Sequence, residues 1–202
     1  MIWGLGIDFS QIKEPSENFW VGQGANPVAM MRTSWSDPEA IYLGFKAGSP
    51  SVNHGHMDIG SFIMEADGVR WAMDFGMQSY ETLESKGMKI FGRTQDAERW
   101  TILRLNNFVH NTLTVEGQLQ WVDGYSKIDR HSDHKDFQFA ISDISSVYKG
   151  QIKAAVRGVG IINQQYVLVQ DELTALGENA VVRWNMLTPA NVVITGDNTA
   201  TL

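Results

Sequence analysis

Short runs rich in β-branched and aromatic residues, broken by glycine-bearing and polar turns, recur along this chain and point to an all-β structure. Such runs cover 28–32, 40–47, 61–66, 69–75, 100–105, 111–116, 137–142, 153–160, 160–170, 180–187 and 192–195. Asp67-Gly68 is a type I′ hairpin signal. It predicts a turn that pairs Glu65 with Arg70 and Ile63 with Ala72. The stretch 77–99 is polar and aperiodic, with one short helix expected near Tyr80 to Gly87. A loop of that length in a β domain is usually functional or mobile, and it is expected as a surface loop rather than a core element. No internal repeat or low-complexity tract interrupts the pattern.

The 202 residues suffice for one sizeable domain with its own core. An apolar fraction of 43% and a charged fraction of 19% fit a globular protein. The net charge of -7 argues against nucleic acid, because phosphate binding needs a clustered basic surface. The same charge obliges any acidic ligand to meet a local positive site. With no cysteine there is neither a disulfide framework nor thiolate chemistry. Residues 1–9 lack a basic region and a long apolar stretch, so they do not read as a signal peptide. No apolar run approaches the roughly 20 residues of a membrane helix.

The chemistry-bearing residues lie in three blocks. The first is Asn53-His54-Gly55-His56-Met57-Asp58-Ile59-Gly60-Ser61-Phe62. The second ends in Trp71-Ala72-Met73-Asp74-Phe75-Gly76, and the third is Val109-His110-Asn111-Thr112-Leu113. Two imidazoles and a carboxylate are a donor set that zinc accepts. Read from the residues alone, these positions are more readily ordinary polar loop and edge residues. An ideal hairpin also opposes the metal reading. Asp74 would face Ser61, leaving His56 five residues further on, roughly 16 Å away at about 3.3 Å per residue. The two meet only if 53–60 leaves the ladder and folds back, which Gly55 and Gly60 permit.

In order and spacing the three blocks resemble the heparinase II/III-like family of polysaccharide lyases. The approach through Val28-Ala29-Met30-Met31-Arg32 and Ala40-Ile41-Tyr42-Leu43-Gly44-Phe45-Lys46 fits as well. The likeness is close over about residues 20–125 and looser beyond. It implies an antiparallel β-sandwich, a piece of a larger enzyme that also has an N-terminal helical toroid, with residues 1–202 cut at both ends. It implies one structural Zn2+ per chain held by His56, Asp74 and His110. It further implies an acidic polysaccharide or oligosaccharide as substrate, no membrane or nucleic-acid partner, and a periplasmic or secreted location.

Lyases of this kind cleave uronic-acid-containing chains by β-elimination. The carboxylate must be neutralised, a base must take the C5 proton, and an acid must protonate the departing oxygen. Asn53 and His54 match the family positions that act on the carboxylate. His54 can also exchange a proton near neutral pH. Its plainer role is to orient His56 or cap a turn. Tyr80 is the local candidate for substrate contact, against simple loop packing; the principal tyrosine acid belongs to the toroid. Arg99 and Arg104 are candidates to meet an anionic sugar, although Arg99 can instead stack on Trp100. Asp58 is expected to support the loop through hydrogen bonds to backbone or a histidine. The 130–136 stretch, with four titrating groups, reads as a solvated loop rather than a second metal site. Among the tryptophans, Trp121 is expected to be the most exposed, and Trp71 and Trp184 to be core. The rival reading is a non-catalytic carbohydrate-binding sandwich that keeps the metal as a staple; Asn53 and His54 beside the ligands speak against it. A metal-dependent hydrolase is a weaker third.

Overall fold

The computed structural model describes residue 6 and residues 8–202. Its first large sheet has five antiparallel strands in chain order: β1 (Phe19–Gly22), β2 (Val28–Arg32), β3 (Tyr42–Lys46), β4 (Phe62–Ala66) and β5 (Val69–Ala72). After a short helix α1 (Tyr80–Glu84) and β6 (Leu113–Val115), the second large sheet forms from β7 (Arg130–Ser132), β8 (Phe137–Asp143), β9 (Ala154–Ile162) and β10 (Tyr166–Thr174), ordered β10-β9-β8-β7. β11 (Val182–Trp184) pairs with β6, and β12 (Val193–Gly196) with β13 (Thr199–Thr201). Among the described residues no helix is long and apolar enough to cross a membrane.

Strand periodicity explains how the large sheets meet. In β2, Ala29 and Met31 are buried and Met30 is exposed; in β8, Gln138, Ala140 and Ser142 point inward. Alternate side chains leave on opposite faces, so each strand offers one apolar side. Ala29, Met31, Leu43, Phe45 and Phe62 of the first sheet pack with Ala140, Val159 and Ile161 of the second. This is the β-sandwich expected from the resemblance.

Several local expectations need correction. Asp67 and Gly68 both have positive φ, 54° and 69°, as a type I′ turn requires, and Glu65 does face Arg70. Ala72, however, faces Met64, not Ile63, because Trp71 is an extra residue in a bulge. The runs 153–160 and 160–170 do not break at Gly160. β9 continues to Ile162, and the turn sits at Asn163 and Gln164, with φ of 50° and 57°. Gly160 lies mid-strand because a Cβ there would stand 2.7 Å from Gln138 O. The run 100–105 is not a strand: Glu98–Thr101 is a 3-10 turn and further turns follow. Residues 130–132 form β7 and only the following residues turn, while Phe19–Gly22 is a strand the sequence pattern did not single out. Trp184 is 47% exposed, as are Trp20 and Trp35 to a similar degree, and Trp121 is only half-buried.

The 77–99 stretch also departs from expectation. Its Tyr80 meets His54, but Leu83 and Ile90 sink into a third apolar cluster with Met57, Trp100, Ile102, Leu105 and Val122. One side of the loop is thus a small core of its own.

Candidate functional site

The residues 53–60 do leave the ladder. Gly60 takes φ +82°, Ser61 N donates to Asp58 O at 3.0 Å, and Gly60 N to Lys46 O at 2.8 Å. Met57 N donates to Leu105 O at 2.9 Å, which lays the loop across the 100–110 segment. Gly55 permits a close pass, since a Cβ there would stand 2.6 Å from Pro50 O.

Folding back brings His56 to His110, with ring centroids 5.5 Å apart. His110 is 1% exposed; its Nδ1 stands 2.6 Å from Asp74 Oδ2 and its Nε2 3.1 Å from Arg104 O. Asp74 is further fixed by Gly76 N, which donates to Oδ1 at 2.7 Å. Burial opposes the charged form of His110, but the hydrogen bond to Asp74 and the charges of Asp58 and Asp74 together outweigh it and raise the imidazole above its ordinary pKa. Burial likewise opposes charge on Asp74, and His110 again outweighs it, so the carboxyl lies below its usual range. His56 is held low, chiefly by burial, against the pull of Asp58.

Among the described residues no three His, Cys, Asp or Glu side chains are already arranged to hold an ion. The donor chemistry nevertheless fits zinc. Arg104 O can only accept, so His110 Nε2 carries a proton, and Nδ1, which donates to Asp74 without the metal, would become the ligand nitrogen on giving up its proton. Two ligands of a tetrahedral zinc, each about 2.0–2.1 Å from it, stand roughly 3.3 Å apart. The His110–Asp74 gap of 2.6 Å would have to widen by less than the width of an atom to admit the ion.

At the loop's outer edge Asn53 and His54 are exposed. His54 takes φ 56°, an unusual left-handed conformation for a non-glycine residue. Its Nδ1 lies 2.8 Å from Tyr80 Oη, with the two rings stacked at 5.8 Å and 11°. Tyr80 rests edge-on against Phe91 at 5.6 Å. The six sequence candidates thus form two groups joined through the histidine loop: buried or half-buried His56, Asp74 and His110, and His54 with Tyr80 and the exposed Asn53.

Other candidates settle differently. Arg104 spends its guanidinium on Phe75 O at 3.0 Å and lies over the Phe75 ring at 5.2 Å, so it braces the 75–77 turn. Asp58 pairs with Lys46, not with backbone or a histidine, although its charge is felt at His56 and His110. In the 130–136 stretch His134 stands 3.9 Å from Asp136, both exposed, and no metal cluster forms among the described residues.

The supports beneath the loop were missed from sequence. Arg157 is fully buried and donates from Nη1 to both Gly60 O (2.9 Å) and Asn111 O (3.0 Å), while Nε and Nη2 grip Asp171 at 2.7 and 2.8 Å. One guanidinium therefore ties the end of the histidine loop to the residue after His110. Asn111 Nδ2 donates to Phe62 O (2.7 Å) and Met73 O (2.9 Å), and its Oδ1 accepts from Leu187 N at 2.6 Å. Gln120 Oε1 accepts from Ile59 N at 3.2 Å and its Nε2 donates to Ile59 O at 2.9 Å. One signal for Arg157 was present: an arginine at an inward position of an alternating strand, across a hairpin from an aspartate.

A family model described as "Heparinase II/III-like, C-terminal" matches residues 23–202. Among solved structures, a heparan sulfate lyase HepC mutant from Pedobacter heparinus is similar at 21% identity and TM-score 0.64, over 90% of this chain and 26% of that one. A heparinase III structure is similar at 17% identity and TM-score 0.66, over 91% of this chain and 27% of that one. The chain thus spans about a quarter of the length of these structures, which share its fold. No curated protein matches it.

Proposed function

The chain belongs to the heparinase II/III-like family, in its C-terminal part, and we propose that it is the β-sandwich of a polysaccharide lyase that cleaves a uronic-acid-containing polymer by β-elimination. The observation that carries the reading is the His54–Tyr80 pair, 2.8 Å from Nδ1 to Oη, at the exposed rim of the His56, Asp74 and His110 cluster. A helical domain of the same protein completes the cleft, and the enzyme works in the periplasm or outside the cell.

His56, Asp74 and His110 hold one Zn2+, which when bound supplies a structural cross-link between the histidine loop and the segment before β6. Asn53 directs its amide at the sugar carboxylate, where donors stabilise the enolate-like charge that develops as the C5 proton leaves. When Tyr80 O–H donates to His54 Nδ1, His54 carries its proton on Nε2 and offers that N–H to the acidic group. When the tautomer is reversed, Nε2 becomes the basic atom facing substrate. Tyr80 thus sets the state of His54 and stands in reach of the sugar.

The test uses the longer natural protein and a set of uronate polymers, followed by ultraviolet absorbance of the unsaturated product. His54→Ala and Asn53→Ala are expected to lower turnover about 10²-fold or more while elemental analysis still finds one zinc. His56→Ala and His110→Ala should lose the zinc. Wild-type turnover in His54→Ala removes the catalytic role; zinc loss in that variant exchanges the roles of His54 and His56.

A further inference from the structure

The chain's net charge of -7 sets the whole molecule's field against an acidic ligand. Against that background the 93–99 segment brings two arginines to the histidine loop. Arg99 is only 5% exposed; its Nη2 donates to Gly55 O at 2.7 Å, and its guanidinium lies 4.6 Å from the Trp100 ring centre. Its Nε is buried without a partner, and among the described residues no carboxylate stands within ion-pair distance of it. Arg157 shows the contrast: the chain's other deeply buried guanidinium grips Asp171 with two hydrogen bonds. Burying a guanidinium with no counter-charge is unfavourable. Burial accordingly pulls Arg99 below the ordinary arginine pKa, Tyr80 works in the other direction, and Arg93 adds to the lowering.

Arg93 is exposed and also lacks a carboxylate partner among the described residues. Its Nη2 reaches Asn53 Oδ1 at 3.4 Å. That contact occupies the amide oxygen and leaves the Asn53 Nδ2 donors for a ligand. A loop staple alone accounts for the Gly55 bond and the Trp100 stacking. It does not account for two neighbouring arginines, one of them buried, without an acid.

We propose that Arg93 and Arg99 make this rim a receptor for one anionic group of a sugar, with Arg93 and Asn53 touching the group and Arg99 supplying fixed positive charge behind them. The choice of a sugar as carrier rests on the lyase reading. Carboxylate and sulfate ester share the required chemistry, a compact oxyanion that accepts charge-assisted hydrogen bonds.

The experiment titrates the isotope-labelled 202-residue chain, metal-free, with methyl glucuronide, a sulfated glucosamine and neutral methyl glucoside, following the Asn53 side-chain amide and the Arg99 Nε–H by NMR. An acidic sugar is expected to shift both signals, less so as salt is raised, and the neutral one to shift neither. The acidic sugar that binds identifies the group. Arg93→Gln should weaken binding about tenfold; Arg99→Gln should do likewise and Arg99→Lys restore most of it. If Arg99→Gln does not fold, Arg93→Gln decides. Undiminished binding in Arg93→Gln, equal binding of the neutral sugar, or no response to either acid overturns the proposal. Neither metal nor turnover enters this assay. Acid-selective binding through Arg93, with no cleavage by the longer protein, would remove the lyase reading and leave the anion receptor standing.

Discussion

Between the two large sheets the core is built mainly of apolar residues, among them Ala29, Met31, Leu43, Phe45, Ala140, Val159 and Ile161, with Gln138 and Ser142 of β8 the polar exceptions. Beneath the histidine loop Asn107, Asn111, Thr112, Gln120 and Arg157 are just as buried and all polar. The sandwich strands satisfy one another's backbone groups, so their side chains only have to fill space. The 48–61 and 73–112 stretches hold little ladder, and buried backbone groups there still need partners. Side-chain amides and one guanidinium supply them, which is how an irregular loop with a left-handed His54 can be held in one place. The first region obtains its stability from area removed from water, the second its shape from directed bonds.

The sharpest way to break that distinction is Arg157, which stands in β9 of the sandwich and binds the loop. Arg157→Met should cost about 3–5 kcal/mol, because it leaves Asp171 in place without its partner. Denaturant unfolding measures the loss. Amide exchange should quicken at 56–61 and 109–112 as well, and a variant with full protection there would mean the clamp is idle. Pairing it with Asp171→Leu should recover much of the stability but not the loop protection.

Leu43→Ala tests the opposite half. Removing a fully buried leucine from the sandwich should cost about 2–5 kcal/mol. At temperatures where the variant remains folded, its zinc affinity should equal that of the unaltered chain. A weakened site would mean the two regions are not separable.

The smallest effect is that of pH on the metal-free protein. Asp74 lies below and His110 above its ordinary pKa. The contribution of Asp74 is present above about pH 4 and is lost as pH falls through its depressed value. That of His110 is full below about pH 6.5 and is lost as pH rises through its raised value. Exchange protection around 74 and 110 should therefore peak between those limits and fall on both sides. β2 and β3 should follow neither arm beyond any change in global stability; equal pH sensitivity there would deny the pair its local role.

What could be read in the chain divides along the same line. Asp67-Gly68 disclosed the β4–β5 hairpin, yet one bulged residue, Trp71, was enough to shift the partner of Ala72. The family resemblance carried by the three blocks grouped His56, Asp74, His110 and His54 in advance. Gln120, Asn111 and the loop-binding end of Arg157 stayed hidden because those contacts are to backbone groups as many as 97 residues away, and a carbonyl leaves no mark in a sequence. The 77–99 stretch looked wholly polar because Leu83 and Ile90 are too few to form a period, although each is buried.

The sequence by itself determined the β class, the sandwich's apolar faces and the set of groups able to do chemistry, because these depend on side-chain type and on a period of two. Only the tertiary structure decided that 53–60 folds back over 100–110, that Tyr80 meets His54, and that Arg99 is buried without an acid. Those outcomes depend on which distant carbonyls and side chains are close enough to bond. Such distances are fixed by the packing of the whole chain, not by any local stretch of it.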